Sequence, residues 1–74
     1  MKKDYTILAE GRLFILTGSA VAARCIEEEY GLSLDRDEAY GYSCLVHESG
    51  MNGKKLSTKI AAYMMGLEKK GMKL

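Results

Sequence analysis

The sequence contains no proline and no tryptophan, and it has only one phenylalanine, one histidine and two cysteines among 74 residues. Without proline, the chain has no rigid X-Pro turn and no proline-rich linker. Two cysteines are too few for the disulfide framework of a small secreted domain, so we expect Cys25 and Cys44 to be thiols that pack like small apolar side chains. The single histidine, His47, limits both metal binding and histidine-dependent catalysis.

No apolar run approaches the roughly 18 residues of a membrane-spanning helix, and the charged N-terminal residues are not followed by the apolar core of a signal peptide. We therefore expect a cytoplasmic protein with no membrane partner. Its 74 residues are enough for one domain at most, and we predict a single domain over 1–74. Because a chain this short buries a thin core, association with another chain would stabilise it.

The charged residues are unevenly distributed along the chain. Most acidic residues lie in the middle, between 25 and 48, and most lysines lie between 49 and 74. An acidic middle followed by a basic end indicates internal charge pairing, charge-matched self-association, or a charged face for a partner.

The most apolar run is Arg12–Thr17, which contains the only phenylalanine. A second β-rich run precedes it and Gly11 supplies a turn, so the sequence predicts a β-hairpin over about 5–17. Alternate residues of a strand point to opposite sides, and in this run both sets are apolar. Two interpretations follow: the helices cover both sides of the hairpin, or a second copy of the chain covers one side in a homodimer.

Two of the three helices that the sequence predicts are ordinary amphipathic segments. Ser19 is a candidate N-cap for a helix over about 20–30, which Gly31 would end. Ser57 is a candidate N-cap for a last helix over about 58–70, whose apolar residues recur at helical spacing.

The predicted middle helix, over about 36–48, depends on one local pattern. Asp35 is followed three residues later by Glu38, which matches a capping box with aspartate as the cap. Gly41 interrupts this helix, and a glycine there would let another backbone approach closely. The resulting order is β-β-α-α-α, a small α+β fold in which an N-terminal β-hairpin precedes three short helices.

The surface residues that we assign to protein binding are Glu27, Glu28, Glu29 and Tyr40. The three glutamates fall in the last turn of the predicted first helix, where the helix dipole disfavours negative charge. Tyr40 lies off the apolar stripe of its predicted helix, and exposed tyrosines are enriched at binding hot spots. The leading hypothesis is a small non-catalytic binding module: a regulator, adaptor or inhibitor that acts through its surface on a protein partner.

The cysteines and the histidine do not form a familiar catalytic or metal-binding pattern. Cys44 and His47 are three residues apart, but Cys25 and Glu48 would have to complete a set of four zinc ligands. A zinc-stabilised domain is therefore a minor alternative, and we predict no cofactor. Both cysteines fall on or beside predicted apolar stripes rather than against His47, so we also predict no enzymatic activity.

The main alternative is a helix-turn-helix-like DNA-binding protein that uses the start of the last helix. The candidate contact residues are Lys54, Lys55, Ser57, Thr58 and Lys59. Lysine supplies phosphate contacts, which give affinity with little sequence information. The segment Leu67–Met72 resembles the end of a recognition helix in winged-helix regulators, and this resemblance of six residues implies a nucleic-acid partner.

Overall fold

The chain forms a four-stranded antiparallel sheet and two helices over residues 4–46 and 52–74, which are the residues that this computed structural model describes. In chain order the elements are β1 (Thr6–Ala9), β2 (Arg12–Ile15), α1 (Ala20–Tyr30), β3 (Asp35–Asp37), β4 (Gly41–Leu45) and α2 (Gly53–Lys69). The strands lie in the order β1-β2-β4-β3, so β2 and β4 occupy the centre of the sheet and β1 and β3 its edges.

One face of the sheet carries the core. Leu13 and Ile15 of β2 point to this face and are fully buried. Leu13 pairs with Cys44 of β4, which is also buried, because directly opposed residues of an antiparallel pair share a face. Both helices pack on this side, through Ile26 of α1 and Ile60 of α2.

Hydrogen bonds join α2 to β1 and to Tyr5, the residue before β1. Near the start of α2, the Ser57 carbonyl oxygen accepts a hydrogen bond from the Thr6 hydroxyl at 2.6 Å. Near its end, the Tyr5 hydroxyl donates to the Glu68 carboxylate, and this bond raises the pKa of Tyr5. The two contacts hold α2 along the edge strand β1.

The predicted hairpin over 5–17 is confirmed by β1 and β2. Its two-residue turn is formed by Glu10 and Gly11, with φ angles of 53° and 75°. Positive φ at both central residues is the signature of a type I′ turn, whose twist matches that of the flanking strands. Glycine adopts this conformation freely, whereas glutamate is strained in it.

Replacing Glu10 by asparagine should therefore stabilise the protein. Asparagine tolerates positive φ, and Asn-Gly is a preferred sequence for this turn, so we expect a gain of about 0.5–1 kcal/mol. Urea denaturation followed by circular dichroism measures the change. Glu10→Gln, which removes the charge but keeps the shape of the side chain, is the control and should leave stability nearly unchanged. An equal gain in both variants would assign the effect to charge rather than to backbone strain.

The predicted helix over 20–30 is confirmed by α1. The Ser19 hydroxyl caps its first turn by accepting a hydrogen bond from the amide of Ala22 at 3.2 Å. Gly31 ends the helix in the left-handed conformation, with φ at 65°. The amide of Leu32 then donates to the Glu27 carbonyl oxygen, as in a Schellman motif.

The predicted order β-β-α-α-α is wrong, because the segment assigned to a middle helix contributes two strands instead. Of the predicted helix over 36–48, residues 36–46 contain most of β3 and all of β4, and residues 47–48 lie outside the described residues. Asp35 begins β3 rather than capping a helix. The Asp37 side chain accepts hydrogen bonds from the amides of Ala39 and Tyr40 at 2.9 and 3.2 Å, which favours a turn between the strands.

The last helix begins earlier than the sequence predicted. Its N-cap is Asn52, whose side-chain oxygen accepts a hydrogen bond from the amide of Lys55 at 3.0 Å. The predicted cap, Ser57, lies inside α2. The predicted end near residue 70 is confirmed, since Gly71 follows the helix with φ at 87° and Met72 donates its amide hydrogen to the Leu67 carbonyl oxygen.

Candidate protein-binding surface

The second face of the sheet is partly exposed. Residues that point away from both helices lie on it: Ile7, Ala9, Arg12, Phe14, Ser43 and Leu45. Ile7 and Leu45 expose 38% and 49% of their surface, although both belong to strands. We call this surface, together with Tyr40 from the turn between β3 and β4, the open face.

An aromatic pair lies over the middle of the open face. The ring centroids of Phe14 and Tyr40 are 4.4 Å apart, and the ring planes are inclined by 38°. The two hydrogen bonds that Asp37 accepts hold the turn, and so position Tyr40 over the sheet. Tyr40 nevertheless exposes 47% of its surface, as the sequence predicted. The pair is thus an aromatic surface that is open to solvent at Tyr40.

Arg12 is fixed beside this pair by contacts within the sheet. Its Nη2 donates a hydrogen bond of 2.6 Å to the Ser43 hydroxyl, which is buried. Its guanidinium carbon lies 5.4 Å from the centre of the Phe14 ring, within the range of a cation–π contact. Its Nε is buried and has no hydrogen-bond partner among residues 4–46 and 52–74. These two contacts hold the guanidinium in place on the open face.

Carboxylates border the open face. Asp35 pairs with Ser43 across β3 and β4, which places it on the same side of the sheet as Phe14. Asp37 and Glu38 follow at the β3–β4 turn, and Glu10 lies at the turn between β1 and β2. Asp35, Glu38 and Glu10 are exposed. The border of the open face is therefore acidic on the β3 side and at the first turn.

The predicted acidic patch does not join Tyr40 in one surface. Glu27, Glu28 and Glu29 lie at the end of α1, on the side of the sheet that carries the core, whereas Tyr40 lies on the open face. The Glu27 carboxylate accepts a hydrogen bond of 3.0 Å from the amide of Leu34, so it stabilises the loop after the helix. Glu28 and Glu29 are exposed. They form a separate, smaller acidic surface.

The residues of the DNA-binding alternative lie in the first turns of α2. Lys54, Lys55, Thr58 and Lys59 are exposed, but Ser57 donates its hydroxyl hydrogen to Thr6 and is turned toward the sheet. A helix-turn-helix needs two consecutive helices joined by a short turn. In the part of the chain that the structure describes, β3 and β4 lie between α1 and α2, so α1 and α2 do not form such a pair.

Cys44 is buried and Cys25 is half-buried. Burial raises the pKa of the Cys44 thiol, which favours the protonated form over the nucleophilic thiolate. Cys25 lies on α1. No group of three or more histidine, cysteine, aspartate or glutamate side chains within residues 4–46 and 52–74 is placed to hold a metal ion. The other candidate ligands, His47 and Glu48, lie outside the described residues.

Comparison with protein-family models, with curated proteins and with solved structures finds no match. Neither α1 nor α2, the helices of the described residues, is long and apolar enough to cross a bilayer. The surface chemistry of the chain is therefore the basis for assigning its function.

Most residues of the open face were not among the sequence-predicted binding residues. Tyr40 was predicted, but Ile7, Arg12, Phe14 and Leu45 were not. A signal for part of the face was present, since the run Arg12–Thr17 is apolar on both sides of the strand. Locating the surface also requires β4, and the sequence predicts a helix over the segment that forms β4.

Proposed function

We propose that this chain is a small non-catalytic protein-binding module and that the open face is its binding surface. The observation that carries the proposal is the exposure of Ile7, Tyr40 and Leu45 around Phe14 on the sheet face opposite both helices. Large apolar side chains grouped on one exposed face are typical of protein interaction sites. A regulator, adaptor or inhibitor would use such a surface to contact its target.

The composition of the open face also favours a protein partner. Tyrosine and arginine are among the residues most enriched at binding hot spots, and Tyr40 and Arg12 are both held in position before binding. A side chain that is ordered in advance loses little conformational entropy when the partner arrives. Ile7 and Leu45 at either side of the aromatic pair add aliphatic area, which suits an apolar protein surface.

A capture experiment tests this proposal. The purified chain is immobilised, exposed to an extract of the cells that produce it, and the retained proteins are quantified by mass spectrometry. The test variant is Tyr40→Ser with Leu45→Ser. The control is Val21→Ser with Met65→Ser, which removes exposed apolar side chains from the two helices instead. We expect the control to keep a specific partner and the test variant to bind it at least about tenfold more weakly.

Two outcomes would contradict the proposal. Equal retention by both variants would show that the open face is not the binding surface. Sedimentation of the purified protein as a dimer that Tyr40→Ser with Leu45→Ser dissociates would show that a second copy covers the open face. Circular dichroism of both variants ensures that lost binding does not result from unfolding.

A further inference from the structure

We infer that the partner of the open face is a protein segment that combines large apolar side chains with lysine or arginine. This inference rests on the proposed function and specifies the chemistry of the partner. It is carried by the charges around the open face, which are mainly negative among the described residues.

The acidic side chains face outward on the border of this surface. Asp35 lies on the open face beside buried Ser43, and Glu38 follows at the adjoining turn. Both are exposed, as is Glu10 at the opposite turn. A partner with basic residues around its apolar contacts would meet these carboxylates, and such complementarity increases the association rate and excludes acidic competitors.

The nearby arginines offset only part of this negative charge. Arg12 donates a hydrogen bond from Nη2 to the Ser43 hydroxyl and lies against the Phe14 ring, and its single positive charge offsets one carboxylate of this border. Arg36 pairs with Tyr42 and lies over that ring at 5.2 Å, which places it on the other face of the sheet. Around the open face, among the described residues, the exposed carboxylates of Glu10, Asp35 and Glu38 therefore outnumber the guanidinium of Arg12.

The same charges argue against a single-stranded nucleic acid. Exposed aromatic rings on a sheet can stack with bases, as the pair of Phe14 and Tyr40 would allow. Such sites also need a positively charged track for the phosphates, because phosphate contacts supply much of the affinity. Asp35 and Glu38 would repel phosphates at this position.

The test uses a phage-displayed library of random peptides selected on the immobilised full chain. We expect the recovered peptides to be enriched in lysine or arginine next to large apolar residues. One recovered peptide is then synthesised with a fluorophore, and its affinity is measured by anisotropy. Asp35→Asn with Glu38→Gln should weaken binding about threefold to tenfold, because each border charge contributes modestly. Glu28→Gln with Glu29→Gln is the matched control on α1 and should leave affinity unchanged.

The possible results separate this inference from the proposed function. If Leu45→Ser weakens peptide binding but Asp35→Asn with Glu38→Gln does not, the open face remains the binding surface. The inference that the partner is basic is then overturned. Peptides insensitive to Leu45→Ser would contradict the proposed function itself. A fluorescent single-stranded DNA oligonucleotide serves as a second probe, and its binding to the open face would also overturn the inference.

Discussion

Gly41→Ala should destabilise the protein by about 3 kcal/mol, because two independent effects act against any side chain at this position. The φ angle of Gly41 is 101°, outside the regions that residues with a Cβ adopt readily. A Cβ there would also lie 2.8 Å from the carbonyl oxygen of Ile15 and 3.0 Å from that of Thr17. These are backbone atoms in and after the central strand β2, so they cannot move aside as a flexible side chain would.

The matched control is Gly66→Ala. Gly66 lies inside α2, and a Cβ built on it meets no atom within 4 Å. Because alanine favours the helix over glycine, this variant should gain up to about 1 kcal/mol. Urea denaturation of both variants tests the contrast, since the same chemical change should have opposite signs. If Gly41→Ala were neutral, Gly41 would not hold the close backbone contact that joins β4 to the end of β2.

The contact at Gly41 also shows how far the sequence could predict the fold. A glycine at this position was expected to let another backbone approach closely, and that expectation is confirmed. The predicted secondary structure around Gly41 is wrong, because the sequence predicts a helix where the chain forms β4. A glycine allows a neighbouring backbone to approach closely in a helix and in a strand alike, so its presence does not distinguish the two.

The wrong assignment of β3 and β4 has a definite physical cause. Aspartate and glutamate three residues apart suit a helix N-terminus, but an aspartate side chain can equally accept hydrogen bonds from the amides of a turn, as Asp37 does. The alternation of Tyr42, Cys44 and Val46 would have predicted a strand with a buried side. The choice between the two depends on the pairing of β4 with β2, a long-range contact that local patterns do not contain.

Sequence patterns predicted the elements whose hydrogen bonds join residues close together in the chain. The first hairpin closes through a two-residue turn, and α1 has both its cap and its terminating glycine within a few residues of its ends. The candidate binding surface is different, because β1, β2, β4 and the β3–β4 turn all contribute to it. Its residues come together only once the strand order is known. Sequence patterns could therefore indicate that one side of the hairpin needed a cover, but not which surface was exposed.

Leu13→Ala and Leu45→Ala should have different effects, because Leu13 lies in the core and Leu45 on the open face. We expect the first to lower stability and the second to lower binding. Leu13 is fully buried in β2 and belongs to the core cluster with Ile26 and Ile60. Its truncation leaves a cavity and should cost about 3 kcal/mol. A chain of this length has a total stability on the order of 4–10 kcal/mol, so this loss would remove about a third or more of it.

Leu45 is the same residue type on the adjacent central strand, but its side chain points to the other face and is half exposed. Its truncation should change the free energy of unfolding by less than about 1 kcal/mol, because no core cavity forms. Denaturation curves measure the two stabilities, and anisotropy with a selected peptide measures binding. Leu45→Ala should lower affinity while remaining folded. A loss of stability equal to that of Leu13→Ala would mean that Leu45 packs in a second core, and the face that carries it would then not be free to bind a partner.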